Sequence, residues 1–125
     1  MPAQSKALRL MIVDDSPGTR RALSACVAGQ GGLKVVCEAV DGQDAIDKIE
    51  TRLPDVVLMD CRMPRMTGLE ATRILKRRWP EIKVVILTMY SDCQLESRSA
   101  GADAVLIKGC SLDELAATLR SVTAG

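Results

Sequence analysis

The chain has no phenylalanine and no histidine, and among its 125 residues it carries one tryptophan and one tyrosine. An interior without rings has to be filled by Val, Ile, Leu, Met and Ala, the palette of strands buried on both faces of a parallel sheet. The five cysteines, Cys26, Cys37, Cys61, Cys93 and Cys110, are an odd number without a C-x-x-C spacing, and zinc's usual histidine partners are missing. They are expected to be reduced thiols in a cytosolic protein. No stretch approaches the ~20 apolar residues of a membrane span, and residues 1–7 lack the apolar core of a signal peptide. A soluble, cytoplasmic protein without a membrane partner is therefore expected. Charge of one sign is also lacking: 17 basic against 16 acidic residues leave +1, and the longest basic run is Lys76-Arg77-Arg78. That excludes the electrostatic footprint of a nucleic-acid binder from this segment.

What is present is alternation. Short aliphatic runs at 8–13, 34–40, 56–59, 84–87 and 104–107 predict strands, and each is followed by a helical pattern, as in repeated βα units. Ser16-Pro17 caps and starts the first helix, whose apolar face is expected to be Ala22, Leu23, Cys26 and Val27. The second helix runs from Asp41 with Ala45, Ile46 and Ile49 inward and stops before Pro54. The third covers 67–78 with Ala71, Ile74 and Leu75 inward and basic residues outward. A weak fourth helix at 91–100 has mainly Cys93, Leu95 and Ala100 as apolar residues, so it should be loosely held. Ser111 and Glu114 predict a capping box for the last helix, which shows Leu112, Leu115, Ala116, Leu119 and Val122. About 100–150 residues is an ordinary domain size, so residues 1–125 are expected to form one domain, free-standing or the first part of a longer regulator.

Polar residues gather where strands end: Asp14 and Asp15 after the first, Asp60 after the third, Thr88 after the fourth, Lys108 after the fifth. Right-handed βαβ crossovers bring all strand carboxyl ends to one edge, where ligands of open α/β sheets bind. Three carboxylates in one crevice repel, so a proton is retained or a hard cation neutralises them. Magnesium suits such a site, because it prefers oxygen ligands and combines carboxylates with phosphate oxygens. With Lys108 as a point charge and Thr88 as a hydroxyl donor, the set fits phosphoryl transfer, and Asp60, the most central, is the candidate nucleophile.

Four segments carry a resemblance to the response-regulator receiver family over nearly the whole chain: Val13-Asp14-Asp15-Ser16-Pro17, the stretch from Asp55 through Asp60 and Met63-Pro64 to Thr67-Gly68, Val85-Ile86-Leu87-Thr88, and Gly101-Ala102-Asp103-Ala104-Val105-Leu106-Ile107-Lys108. The resemblance implies a five-stranded parallel sheet of order 2-1-3-4-5 with helices on both faces. It makes Asp60 the phosphoacceptor. Direct magnesium ligands would be Asp15, Asp60 and the main-chain carbonyl of Arg62, with Asp14 acting through water. Thr88 would contact the transferred phosphoryl group and Lys108 would pair with one of its oxygens. The donor would be a phosphohistidine on a sensor histidine kinase or phosphotransfer protein. Thr88-Met89-Tyr90 and Lys108-Gly109-Cys110-Ser111 are similar to receivers that precede a LuxR/NarL-type helix-turn-helix domain, which implies transcriptional output and a homodimer through the 91–122 face. One departure is Val105, where such receivers carry Tyr or Phe three residues before the lysine. Tyr90 could serve as a surface reporter instead.

Other readings fit less well. A flavodoxin-like carrier would need a phosphate-cradling first loop, and Asp14-Asp15 would repel a flavin phosphate. An aspartyl-phosphate phosphatase would place Asp-x-Asp after the first strand, a spacing Asp14-Asp15-Ser16 lacks. A degenerate receiver would have lost the acids or the lysine. Singly, Asp14 and Asp15 could cap a helix, Asp60 could be a turn residue, and Cys61 could be a small core residue.

Overall fold

The computed structural model describes residues 7–61, 63, 65–89 and 93–124. Its strands are β1 Leu8–Val13, β2 Leu33–Ala39, β3 Val56–Asp60, β4 Lys83–Thr88 and β5 Ala104–Ile107. All pair in parallel, in the order β2-β1-β3-β4-β5. The helices are α1 Pro17–Ala28, α2 Gly42–Arg52, α3 Gly68–Arg78, α4 Cys93–Ser99 and α5 Leu112–Thr123. Strand β2 starts and ends one residue earlier than its aliphatic pattern. Strand β4 gains a residue at each end, because Lys83 pairs with Val56 and Thr88 with Ile107.

Alternation along the strands divides the core in two. Met11, Val13, Val57, Met59, Val84 and Ile86 face α2, α3 and α4, where Ile46, Ile49, Ala71, Leu75 and Cys93 meet them. Leu10, Ile12, Val56, Leu58, Val85 and Leu87 face α1 and α5, against Val27, Leu115, Ala116 and Leu119. All five residues of β3 are buried, as expected of a central strand with helices on both sides.

Two expectations need correction. Ala22 and Cys26 are exposed, and the inward stripe of α1 is Arg20, Leu23, Ser24 and Val27, a 3–4 spacing through the single buried residue Val27. Two polar members belong to that stripe because they have work at the sheet edge: Arg20 Nη1 donates to the Asp14 carbonyl at 2.7 Å and Ser24 Oγ to Glu38 at 3.1 Å. The capping box also lies elsewhere. At Ser111 one half is made, Glu114 N–H to Oγ at 3.0 Å, whereas the reciprocal box closes at Thr67 and Glu70 of α3. In α4 the buried residues are Cys93 and Ser97, while Leu95 is 79 % exposed. The start of that helix at 91–92 and Tyr90 lie outside the described residues.

Candidate functional site

From β1 the chain leaves toward β2 on one side, and from β3 it leaves toward β4 and β5 on the other, so the strand order reverses between β1 and β3. Helices diverge there and a crevice opens above the carboxyl ends. Register fixes what lines it. Val13 pairs with Met59, which sets Asp14 beside Asp60, Asp60 pairs with Leu87, and Thr88 pairs with Ile107, the residue before Lys108. The five strand-end residues thus share one edge of the sheet.

Carboxylate oxygens of Asp14, Asp15 and Asp60 all lie within 4.8 Å of one another. Lys108 Nζ stands 3.1 Å from Asp14 Oδ2 and 3.3 Å from Asp60 Oδ2. Asp14 is buried and fully engaged: Oδ1 accepts from Ser16 N–H at 2.9 Å and Oδ2 from Lys108. Asp15 is exposed, so its carboxylate is free to turn toward an incoming ligand. Thr88 is fully buried at the end of β4, and its carbonyl accepts from Lys108 N–H at 2.7 Å, which ties the ends of β4 and β5 together. The Arg62 carbonyl lies outside the described residues.

Burial raises the Asp60 pKa, the Lys108 ammonium opposes that rise, and the Asp14 charge adds to it. Burial would lower the Lys108 pKa, but hydrogen bonding to Asp14 and the Asp60 charge outweigh it and the net direction is up. The lysine is therefore a fixed cation at neutral pH. One ammonium against three carboxylates leaves the crevice negative, and hard oxygen donors with excess negative charge fit a magnesium ion.

Three features escaped the sequence reading, two beside the site and the third at the opposite edge of the sheet. Gly68 abuts the end of β3 so closely that a Cβ there would stand 2.0 Å from the Asp60 carbonyl oxygen, and its N–H donates to the Cys61 carbonyl at 2.9 Å. The second is an ion pair between Asp41 and Arg65. The third is Lys76, whose Nζ reaches Asp103 at 3.1 Å and the Ile82 carbonyl at 3.0 Å, fastening α3 to the approaches of β4 and β5. Only Gly68 left a trace, as the partner of Thr67 in a motif, since long-range pairs of charged residues carry no spacing signal. Cys61 is 1 % exposed and packs in the core, in keeping with a small apolar role.

Comparison with known proteins agrees with this geometry. The model of the response regulator receiver domain matches residues 10–120. Response regulator GacA of Pseudomonas viridiflava is 40 % identical over 120 residues, covering 94 % of this chain and 56 % of the relative. Response regulator UvrY of Escherichia coli K12 is 37 % identical over 94 % of this chain and 55 % of its own. This chain thus spans about half the length of the curated relatives it matches. Among solved structures, a LuxR-family two-component response regulator from Aurantimonas sp. SI85-9A1 superposes with a TM-score of 0.90 at 32 % identity, covering 97 % of this chain and 87 % of that one. Among the described residues no helix is long and apolar enough to cross a membrane. With the receiver model matched over almost all of its length and the acidic crevice at the reversal of its sheet, the chain belongs to the response regulator receiver domain family of two-component signalling.

Proposed function

We propose that residues 1–125 form one receiver domain whose Asp60 accepts a phosphoryl group from a phosphohistidine of a sensor histidine kinase or phosphotransfer protein. The observation that carries this reading is the Lys108 ammonium lying between Asp14 and Asp60 at 3.1 and 3.3 Å in a crevice with excess negative charge. An Asp60 carboxylate oxygen forms the O–P bond as the N–P bond to the donor imidazole breaks. Once Asp60 carries the phosphoryl group, Lys108 exchanges the Asp60 carboxylate for a phosphoryl oxygen and keeps Asp14 as its carboxylate partner. Thr88, at the strand end beside it, meets the phosphoryl group through its hydroxyl.

Magnesium, when bound, supplies charge neutralisation for the transferring group. Asp15, Asp60 and the Arg62 carbonyl would hold it. Asp14 would act through water, a role supported by the engagement of both its oxygens with Ser16 and Lys108. The same residues would permit self-phosphorylation from a small phosphodonor and slow hydrolysis of the acyl phosphate.

Signalling then follows a shift between two arrangements of the β4–α4 loop, α4 and β5. Met89, Leu95 and Ile107 are 69 %, 79 % and 38 % exposed on these elements, which supports this face as the place where a second copy docks. Val105 is half-buried among core residues, so a phenol switch at that position is replaced by movement of the Thr88 loop itself. The output is transcriptional, through a DNA-binding domain beyond this segment, in the cytoplasm. Transfer from a phosphorylated histidine kinase with and without a chelator tests the reading: label should reach wild type only with magnesium and never reach Asp60→Asn. Label retained in folded Asp60→Asn would overturn the assignment.

A further inference from the structure

The loop after Asp60 is held at two places away from the carboxylates. At its end, Gly68 is bonded to Cys61 and wedged against the Asp60 carbonyl. At its tip, Arg65 Nε donates to Asp41 Oδ2 at 2.7 Å, and Nη2 reaches the same oxygen. Asp41 is the N-cap of α2, with Oδ1 accepting from Asp44 N–H at 2.9 Å, and it contributes no atom to the acidic cluster. The residue is 3 % exposed, whereas the Arg65 side chain is 67 % exposed. One carboxylate therefore serves a helix with one oxygen and a loop with the other. Arg65 has φ 67°, a left-handed conformation that a non-glycine residue keeps only where its surroundings hold it. Next to it, Met66 fills the space over Gly42, where a Cβ would stand 2.9 Å from Met66 Cγ.

We infer that Asp41 and Arg65 are positioning residues for phosphoryl transfer: their ion pair pins the β3–α3 loop to the start of α2 and so sets the main chain at Asp60 relative to Asp14 and Asp15. The inference rests on the functional reading above. Without the ion pair the loop is untied from α2, and residues 66–68 move whether or not residue 65 keeps its left-handed conformation. Gly68 has no clearance from the Asp60 carbonyl, so that movement is passed to Asp60. Magnesium demands near-ideal octahedral geometry and registers small displacements of its ligands. A pair that only stabilised α2 would lower the melting temperature and leave metal affinity unchanged.

The test is magnesium affinity, read from amide chemical shifts of Asp60 and Gly68 as the metal alone is titrated into the unphosphorylated chain. Asp41→Asn keeps an oxygen for the Asp44 N–H, so the cap survives while the charge pair is lost. Arg65→Ala and Arg65→Gly remove the pair from the loop side, and glycine also accepts φ 67° without strain. All three should weaken magnesium binding by about fivefold, the most that a largely exposed ion pair can pass on to a coupled site. Arg65→Lys should recover most of the loss, and the Asp41→Asn, Arg65→Ala double variant should bind no worse than either single one. Affinities within twofold of wild type in the folded single variants would overturn the clamp, as would Arg65→Gly binding like wild type. Wild type that binds magnesium at these amides but gains no phosphoryl adduct from acetyl phosphate would instead strike the functional reading.

Discussion

At the residue scale, the site sets stability against chemistry. Burial and the Asp14 charge hold the Asp60 pKa above its ordinary value in the folded chain. An acid that ionises less readily folded than unfolded costs stability as pH rises from the ordinary carboxylate range through the raised value. Asp60→Asn removes that cost, so without magnesium it should melt higher than wild type at neutral pH, and the advantage should fade in acid. Calorimetry at both pH values checks this, and a neutral-pH loss would count against it. Asp41 behaves in the opposite sense. The Asp44 N–H lowers its pKa, burial opposes this, and Arg65 adds to the lowering. Its contribution is therefore full above about pH 4, the ordinary carboxylate value, and is lost as pH falls through the lowered folded value. Because Arg65 is largely exposed, the gap between wild type and Asp41→Asn should be at most ~1 kcal/mol at neutral pH, closing in acid. Urea titrations across pH would show a gap widening toward acid if this is wrong. Gly68→Ala should cost ~2 kcal/mol or more by urea unfolding, since a Cβ 2.0 Å from the Asp60 carbonyl forces the main chain to move.

At the scale of elements, how readable each one is depends on how completely its interior face is apolar. The apolar face of helix α2 was legible, with Ala45, Ile46 and Ile49 all buried. In α5, Leu115, Ala116 and Leu119 are buried and Leu112 and Val122 partly so. Helix α1 was not, because Arg20 and Ser24 occupy its inward stripe to bond Asp14 and Glu38, and apolarity pointed instead to the exposed Ala22 and Cys26. The capping box followed the same logic: S-x-x-E and T-x-x-E patterns are equivalent on paper, and only the Glu70 side chain folds back to its cap. Helix α4 buries just Cys93 and Ser97 over its seven residues, fewer than α2, α3 or α5, which leaves it less firmly anchored than those three. Its amides should exchange with solvent faster than those of α2, α3 and α5 in native-state hydrogen exchange. Protection of α4 equal to α5 would remove the basis for a mobile output face.

For the whole molecule, the parallel sheet was readable because β1, β3 and β4 are nearly continuous aliphatic runs, and this pattern has few alternatives. The strand order came from likeness to a family. In the folded chain it explains why residues as distant as Asp14 and Lys108 meet at 3.1 Å: both sit at the carboxyl edge of one sheet, Asp14 at the reversal beside β3 and Lys108 reaching in from the end of β5. Conversely, the ion pairs Asp41 with Arg65, near the site, and Lys76 with Asp103, at the opposite edge of the sheet, join helices and loops whose contact follows only from packing, and no spacing rule announces them. The proposed function makes Asp60 a magnesium-dependent phosphoryl acceptor at these strand ends. Its most direct measurement is the intact mass of the chain after incubation with acetyl phosphate, with and without magnesium, for wild type and Asp60→Asn. One phosphoryl adduct is expected on wild type, requiring the metal and absent from the variant. An adduct that persists in folded Asp60→Asn, or that forms equally well without magnesium, would contradict it.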